Sequence, residues 1–176
     1  MSLLQDDSSK PIYVHRIVRY FIKAVDFVPL FLQADGKRSK SEDYKEFRFD
    51  SSERSRIVGT LNSTLFYWFW RIHGDGFHCG YKDVYSMPYR RNENSTLLTQ
   101  FDRLQERLMA ALQESSAEKT IATKAGRITY QEFYSKGVKP LIDEIDKVLA
   151  KHYKFTDEEL DFIVNFDIKY RMGDEL

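Results

Sequence analysis

Residues 61–88, LNSTLFYWFWRIHGDGFHCGYKDVYSMP, decide how the rest of the chain is read. Five consecutive aromatics, Phe66, Tyr67, Trp68, Phe69 and Trp70, cannot share one side of a helix, because successive residues turn by about 100°. A helix that is apolar all round is normally buried on every side, so a central core helix is expected here. Its company is polar. Asn62 and Ser63 fall in its first turns, and Arg71, His73 and His78 cluster where it stops at the Gly74 and Gly76 turn. Upstream, Ser51 and Ser52 followed by Glu53 and Arg54 read as the helix start, and Ile57, Leu61, Leu65, Trp68 and Ile72 then recur at helical spacing. Residues 77–87 are expected to hold a short strand, closed by Pro88.

On the N-terminal side, residues 12–31 (IYVHRIVRYFIKAVDFVPLF) are rich in β-branched and aromatic side chains. With Pro29 interrupting them, they predict one or two strands ending near that proline. Residues 33–43 form a polar loop that turns at Gly36 and carries Lys37, Arg38 and Lys40 close together. Tyr44, Phe47 and Phe49 among charged neighbours predict a short strand.

On the C-terminal side the texture changes at Asn94. Leu97, Phe101, Leu104, Leu108 and Leu112 mark an amphipathic helix capped by Ser95 or Thr96. Residues 120–126 read as a loop, and 127–134 (RITYQEFY) alternate like a strand. Pro140 suits the first turn of a helix with Leu141, Ile145, Val148, Leu149 and His152 on one face. Thr156 and Glu159 form a capping box for a last helix, with Leu160, Ile163, Val164 and Asp167 as its inner stripe. The sum is an α+β fold. A small mixed or antiparallel sheet with a buried aromatic helix fills the N-terminal half, and the C-terminal half is mainly helical. Residues 1–10 are expected to be a disordered tail with a cloning scar (Met1, Ser2, Leu3), which hints at a piece cut from something longer. Residues 11–93 would be the strand-rich part and 94–176 the helical part of one continuous unit.

A chain of 176 residues with 42% apolar and 15% aromatic content is long enough to bury a real core. No apolar run approaches the roughly 20 residues a membrane span needs. No secretory leader pattern opens the chain, and the lone Cys79 suits a reducing compartment, so the cytoplasm is expected. Formal net charge is zero but uneven: residues 1–91 hold 15 Lys/Arg against 11 Asp/Glu, and residues 92–176 hold 12 against 16. That asymmetry predicts a basic face from the N-terminal half and an acidic helical region behind it.

Catalytic motifs are missing. There is no GxGxxG, GxxxxGK[ST], GxSxG or HExxH. His73, His78 and Cys79 lack the second ligand pair of a structural zinc site. Cys79 has neither a base nor an orienting group in its own sequence neighbourhood. The acids of residues 143–146 and 157–159 fall on helical faces expected to be solvated. No catalytic residue, cofactor or metal is therefore assigned to this chain.

The segment LNSTLFYWFWRIHGDGFH…YKDVYSMP resembles the LNSxLFxWxF…P segment that follows the catalytic domain in N6-adenine DNA methyltransferases of restriction–modification systems. The closing stretch KPLIDEIDKVLAKHYKFTDEELDFIVNFDIKYRMG is similar to the C-terminal end of the same proteins, above all the larger fused type IIG enzymes. The two segments keep their order and cover about a third of the chain. In that family a methyltransferase domain binds S-adenosylmethionine and presents an Asn-Pro-Pro-Tyr/Phe motif to an adenine flipped out of the duplex. A separate C-terminal region reads the target. Neither the Asn-Pro-Pro motif nor the cofactor motif occurs here. The resemblance thus implies the target-recognition region of a bacterial restriction–modification enzyme, with or without endonuclease activity in the parent. Its partners would be double-stranded DNA and the parent's methyltransferase domain, which would hold the S-adenosylmethionine.

A recognition region needs cations at phosphates and forked polar groups at base edges. Lys37, Arg38, Lys40, Lys45, Arg48, Arg54 and Arg56 supply such a set, and Arg90 and Arg91 extend it beyond Pro88. His73, His78 and Lys82 flank the glycine turn, where the backbone can come close to a groove. The alternative is a protein-interaction or scaffolding domain, in which residues 94–176 dock onto a partner and DNA contact is incidental.

Overall fold

The computed structural model describes residues 9–173, so most of the expected tail and its scar lie outside the described residues. Four short strands come first: β1 (Ile12–His15), β2 (Ala24–Val25), β3 (Phe31–Leu32) and β4 (Tyr44–Phe47). Three of them fall where one or two were expected. Pro29, which has no N–H to give a ladder, sits in the gap between β2 and β3. β1 is the middle of an antiparallel sheet of order β2-β1-β4, with Tyr13 opposite Val25 and Ile12 opposite Phe47. The two-residue β2 is held on its other side by a side chain. Asn62 accepts from the Ala24 N–H (3.1 Å) and donates to the Ala24 carbonyl (2.7 Å) and to the Val58 carbonyl (2.9 Å).

The expected long helix is two helices, α1 (Arg54–Asn62) and α2 (Thr64–His73). Ser63 leaves the helical conformation, and its hydroxyl accepts from the Phe66 N–H (3.0 Å) while donating to the Thr60 carbonyl (2.6 Å). It is the C-cap of α1 and the N-cap of α2 at once, satisfying orphan groups of both. The break re-phases the buried face. Ile57 and Leu61 point inward as expected, but α2 buries Phe66, Tyr67 and Trp70. Leu65, Trp68 and Phe69 are only half-buried, and Ile72 is 55% exposed.

Residues 77–87 are a second departure. Among the described residues the only strand-like pairing there is a single antiparallel bridge of His78 with Ile17. A short helix, α3 (Tyr81–Ser86), follows it. The Asp83 carboxylate accepts from the Gly80 N–H at 2.7 Å and so fixes the first turn, outweighing the period-two alternation of the sequence.

The helix of the C-terminal half, α4 (Ser95–Glu114), is capped by Asn94, whose side-chain oxygen accepts from the Thr96 and Leu97 N–H groups. The expected loop at 120–126 is instead part of a hairpin, β5 (Ala117–Thr123) with β6 (Gly126–Glu132). β6 also pairs with β3, giving a second antiparallel sheet of order β3-β6-β5 that joins the two halves of the chain. After a 3₁₀ turn (Ser135–Val138) come α5 (Lys139–Tyr153), α6 (Asp157–Val164) and α7 (Ile168–Met172). Pro140 lies in the first turn of α5, and the Thr156–Glu159 capping box of α6 closes reciprocally at 3.2 and 2.8 Å. The α+β class, with a helical C-terminal half, is therefore the observed one.

One core spans both halves. α1 packs on α4, α4 on α5, and α2 on α6. Gly59 permits the first of these approaches: a Cβ there would lie 2.4 Å from Cε1 of Phe101. Gly59→Val is therefore expected to destabilise the protein by about 1–3 kcal/mol through overpacking, despite valine's better helix propensity. Urea unfolding would show the midpoint fall, and an unchanged midpoint would mean that α1 and α4 can part without cost. No described helix is long and apolar enough to cross a membrane.

Candidate nucleic-acid interface

Residues 74–80 leave α2 as a tight turn in which Gly76 has a φ of +77°, a conformation glycine takes without strain. The Asp75 carboxylate braces it, accepting from the N–H groups of Phe77 (2.8 Å) and His78 (2.6 Å) and bonding His78 Nδ1 at 2.9 Å. Those bonds hold its carboxyl down at about 2. The far side is tied to the core, since Trp70 Nε1 donates to the His78 carbonyl at 2.7 Å. The Val18 N–H donates to the Phe77 carbonyl, and the Cys79 N–H to the Arg16 carbonyl. The turn is thus a fixed ridge.

On this ridge the structure gathers four of the expected contact residues. His73 and His78 are exposed, as are Lys82 and the rings of Phe77 and Tyr81. Lys45, from β4, places its ammonium 5.4 Å from the centre of the Tyr81 ring. Among the described residues neither Lys45 nor Lys82 makes an ion pair.

The other expected cations lie elsewhere, most of them already engaged. Arg54 donates to the carbonyls of Lys10, Pro11 and Asp26, stapling the N-terminal segment to α1. Arg56 bonds Asp102 at 2.9 Å and the Ser52 carbonyl at 2.6 Å, tying α1 to α4. Arg91 pairs with Asp50 (2.7 Å), and Arg90 is exposed beside it, its carbonyl accepting from His152. Lys37 pairs with Asp35 (3.1 Å), Lys40 with Glu46 (2.8 Å), and Arg48 reaches the Ser9 carbonyl and Glu46. Arg38 is exposed, opposite Leu32 in an isolated bridge. The partners of Arg54, Arg91 and, through Asp102, Arg56 come from distant parts of the chain, so the sequence alone could not show that these cations were engaged.

A larger feature was not anticipated. A cleft of about 660 Å³ opens between the two sheets. One wall is the β5–β6 hairpin, with Lys119, Ile121, Ile128, Tyr130 and Glu132 on one face. The facing wall is the end of β1 and its loop, including Arg19, Tyr20 and Lys23, with Asp43 and Tyr44. Tyr134, Lys136, Tyr170 and Arg171 line its end. The alternation of RITYQEFY, read only as a strand, was the signal for the tyrosine-bearing wall.

Arg171 is 2% exposed and sits between two rings, 4.4 Å from the centre of Phe21 and 4.8 Å from that of Tyr67. Its Nε donates to the Tyr20 carbonyl and its Nη1 to Thr64 Oγ1, while Nη2 has no hydrogen-bond partner. Behind Thr64 lies Asp146, 2% exposed, accepting from the Thr64 and Leu65 N–H groups at the start of α2 (3.1 Å each). Burial pushes its carboxyl up to about 6, against the pull of those hydrogen bonds and of Lys139. An acid expected on a solvated helix face is thus an internal anchor for α2.

Cys79 is fully buried, and burial pushes its thiol up to about 12, so it stays protonated at neutral pH. Among the described residues no group of His, Cys, Asp or Glu is arranged to hold a metal ion. The chain matches no family model, no curated protein and no solved structure.

Proposed function

We propose that this chain is a double-stranded DNA target-recognition module of the kind found in N6-adenine methyltransferases of restriction–modification systems. In this reading it docks through the glycine-turn ridge, in the bacterial cytoplasm. Its partner is a methyltransferase domain that carries the S-adenosylmethionine site and the chemistry. The observation that supports it most is the ridge itself: a rigid turn bearing His78, flanked in the chain by His73 and Lys82, with Lys45 over the Tyr81 ring and, among the described residues, no carboxylate paired with either lysine. Phosphates would meet the lysines, and the imidazoles and the exposed backbone of the turn would face the groove.

Anisotropy titration of labelled duplexes over a salt series tests it. Binding should weaken steeply as salt rises, because phosphate contacts release counterions. The double variant Lys45→Ala/Lys82→Ala should reduce the log–log salt slope by about two, one per phosphate contact removed. Lys37→Ala, whose ammonium is already paired with Asp35, should change the slope far less. No duplex binding at low salt, or an unchanged slope in the double variant, would sink this reading.

A second reading, protein docking, has its own observation. Ile72 on α2 and Phe162 on α6 are exposed by 55% and 54%, and the half-buried Trp68 lies edge-on to Phe162 at 6.5 Å. Such an exposed apolar strip suits a protein surface. An Ile72→Lys/Phe162→Lys variant that kept DNA binding but lost association with a methyltransferase domain would assign the strip to docking.

A further inference from the structure

The inter-sheet cleft has a chemistry that duplex docking at the ridge does not use. Tyr20, Tyr44, Tyr130, Tyr134 and Tyr170 contribute five phenol rings to its lining. Three of them stand open at its mouth, Tyr20 at 41%, Tyr134 at 43% and Tyr170 at 62% exposure. Among the described residues five cations, Arg19, Lys23, Lys119, Lys136 and Arg171, share the lining with two acids. Both acids are engaged: Asp43 with Arg16 at 2.9 Å, and Glu132 with Lys119 at 2.8 Å. Burial alone would push the Glu132 carboxyl up, yet the Lys119 bond and the charges of Lys119, Lys23 and Arg19 outweigh it and hold it below its ordinary value. Among the described residues Arg19 is exposed and pairs with no carboxylate, which leaves its charge for a bound phosphate. The Arg171 guanidinium lies at its end. It is held rigidly between two rings, and its buried Nη2 is a donor with no acceptor.

We propose that this cleft seats one unpaired nucleotide, with its base against the tyrosine rings and its phosphate among the surrounding cations. The volume lies within the range of small-ligand sites, and a ring face accepts any base, because every base has a π-face. An acidic peptide would use the cations but gain nothing from the rings. The same chemistry serves a free mononucleotide and a nucleotide unstacked from a strand. Neither requires that the ridge bind duplex.

Isothermal titration of the full chain with dAMP, TMP, inorganic phosphate, a short oligothymidine and oligoglutamate tests it. Both mononucleotides should bind, phosphate alone much more weakly, and oligoglutamate should not displace them. Oligothymidine binding much more tightly than TMP would point to a strand as the natural source, and equal affinities to a free nucleotide. Tyr134→Ala and Tyr130→Ala should each weaken binding roughly tenfold, the usual loss for one stacking ring. Tyr134 is exposed enough for its replacement to leave the fold intact, which the thermal midpoint would verify. Lys45→Ala/Lys82→Ala should weaken duplex binding without touching nucleotide affinity, so the two sites can fail separately. Phosphate binding as tightly as the nucleotides, displacement by oligoglutamate, or full affinity in the folded Tyr134→Ala variant would each overturn the assignment.

Discussion

Replacing Asp146 by alanine is expected to lower stability at pH 7 by about 3–5 kcal/mol, the usual cost of removing one member of a buried charged network. Two consequences add. The N–H groups of Thr64 and Leu65 lose their acceptor at the start of α2, and the nearby buried Arg171 loses a compensating charge. The thermal midpoint should fall by on the order of 10 °C. The same residue predicts a pH dependence of unexpected sign. Because burial raises the folded carboxyl to about 6 from an ordinary 3.8, the native state holds this proton where the unfolded chain has released it. The contribution is thus fully present below about pH 4 and is lost as pH rises through 6, on the order of 3 kcal/mol in all. Urea unfolding at pH 4.5 and pH 7 should reveal about two-thirds of that loss, and Asp146→Asn should abolish it. A wild-type slope that survives in the asparagine variant would assign the pH dependence to other groups.

Trp70→Ala should be comparably severe, about 3–5 kcal/mol, because the side chain is fully buried and is the largest in the core. Trp70→Phe separates packing from tethering. It keeps most of the ring but deletes the bond from Nε1 to the His78 carbonyl, and should cost about 1–2 kcal/mol. The distinguishing readout is local. Amide exchange at Cys79 and Val18, the donors that pin the turn to residues 16–18, should accelerate in the phenylalanine variant beyond what global stability explains. Exchange that merely follows global stability would show that the bridge to Ile17 suffices. If duplex affinity falls together with local protection, the rigidity of the ridge is part of recognition.

How much of this was legible varies with how local the cause is. The capping box at Thr156 and the leucine spacing of α4 are complete within a few residues, and both were readable. The break at Ser63 was not, because Asn62, Ser63 and Thr64 look alike in a helix's first turns and in a junction between two helices. What decides is burial: all three are inside, bonding to β2, to Thr60 and to Arg171. The sequence TIAT in β5 has no apolar alternation to betray a strand, since all seven residues of that strand are exposed and its register comes from β6. The contact residues divide on the same principle. His73, His78 and Lys82 are neighbours in sequence and stayed together. Arg54 and Arg56 look like surface cations in the sequence because the carbonyls and the carboxylate that hold them lie up to 46 residues away.

The Asn62 amide has a consequence for association between molecules. A two-residue strand at the margin of a sheet normally offers its backbone to any passing chain. Here one side-chain amide supplies the acceptor and the donor that a neighbouring strand would bring, and β2 is closed to strangers. The second sheet has no such guard on β5, whose seven exposed residues run along a free margin. Strand-to-strand aggregation of this protein, where it occurs, will therefore begin at the hairpin rather than at β2.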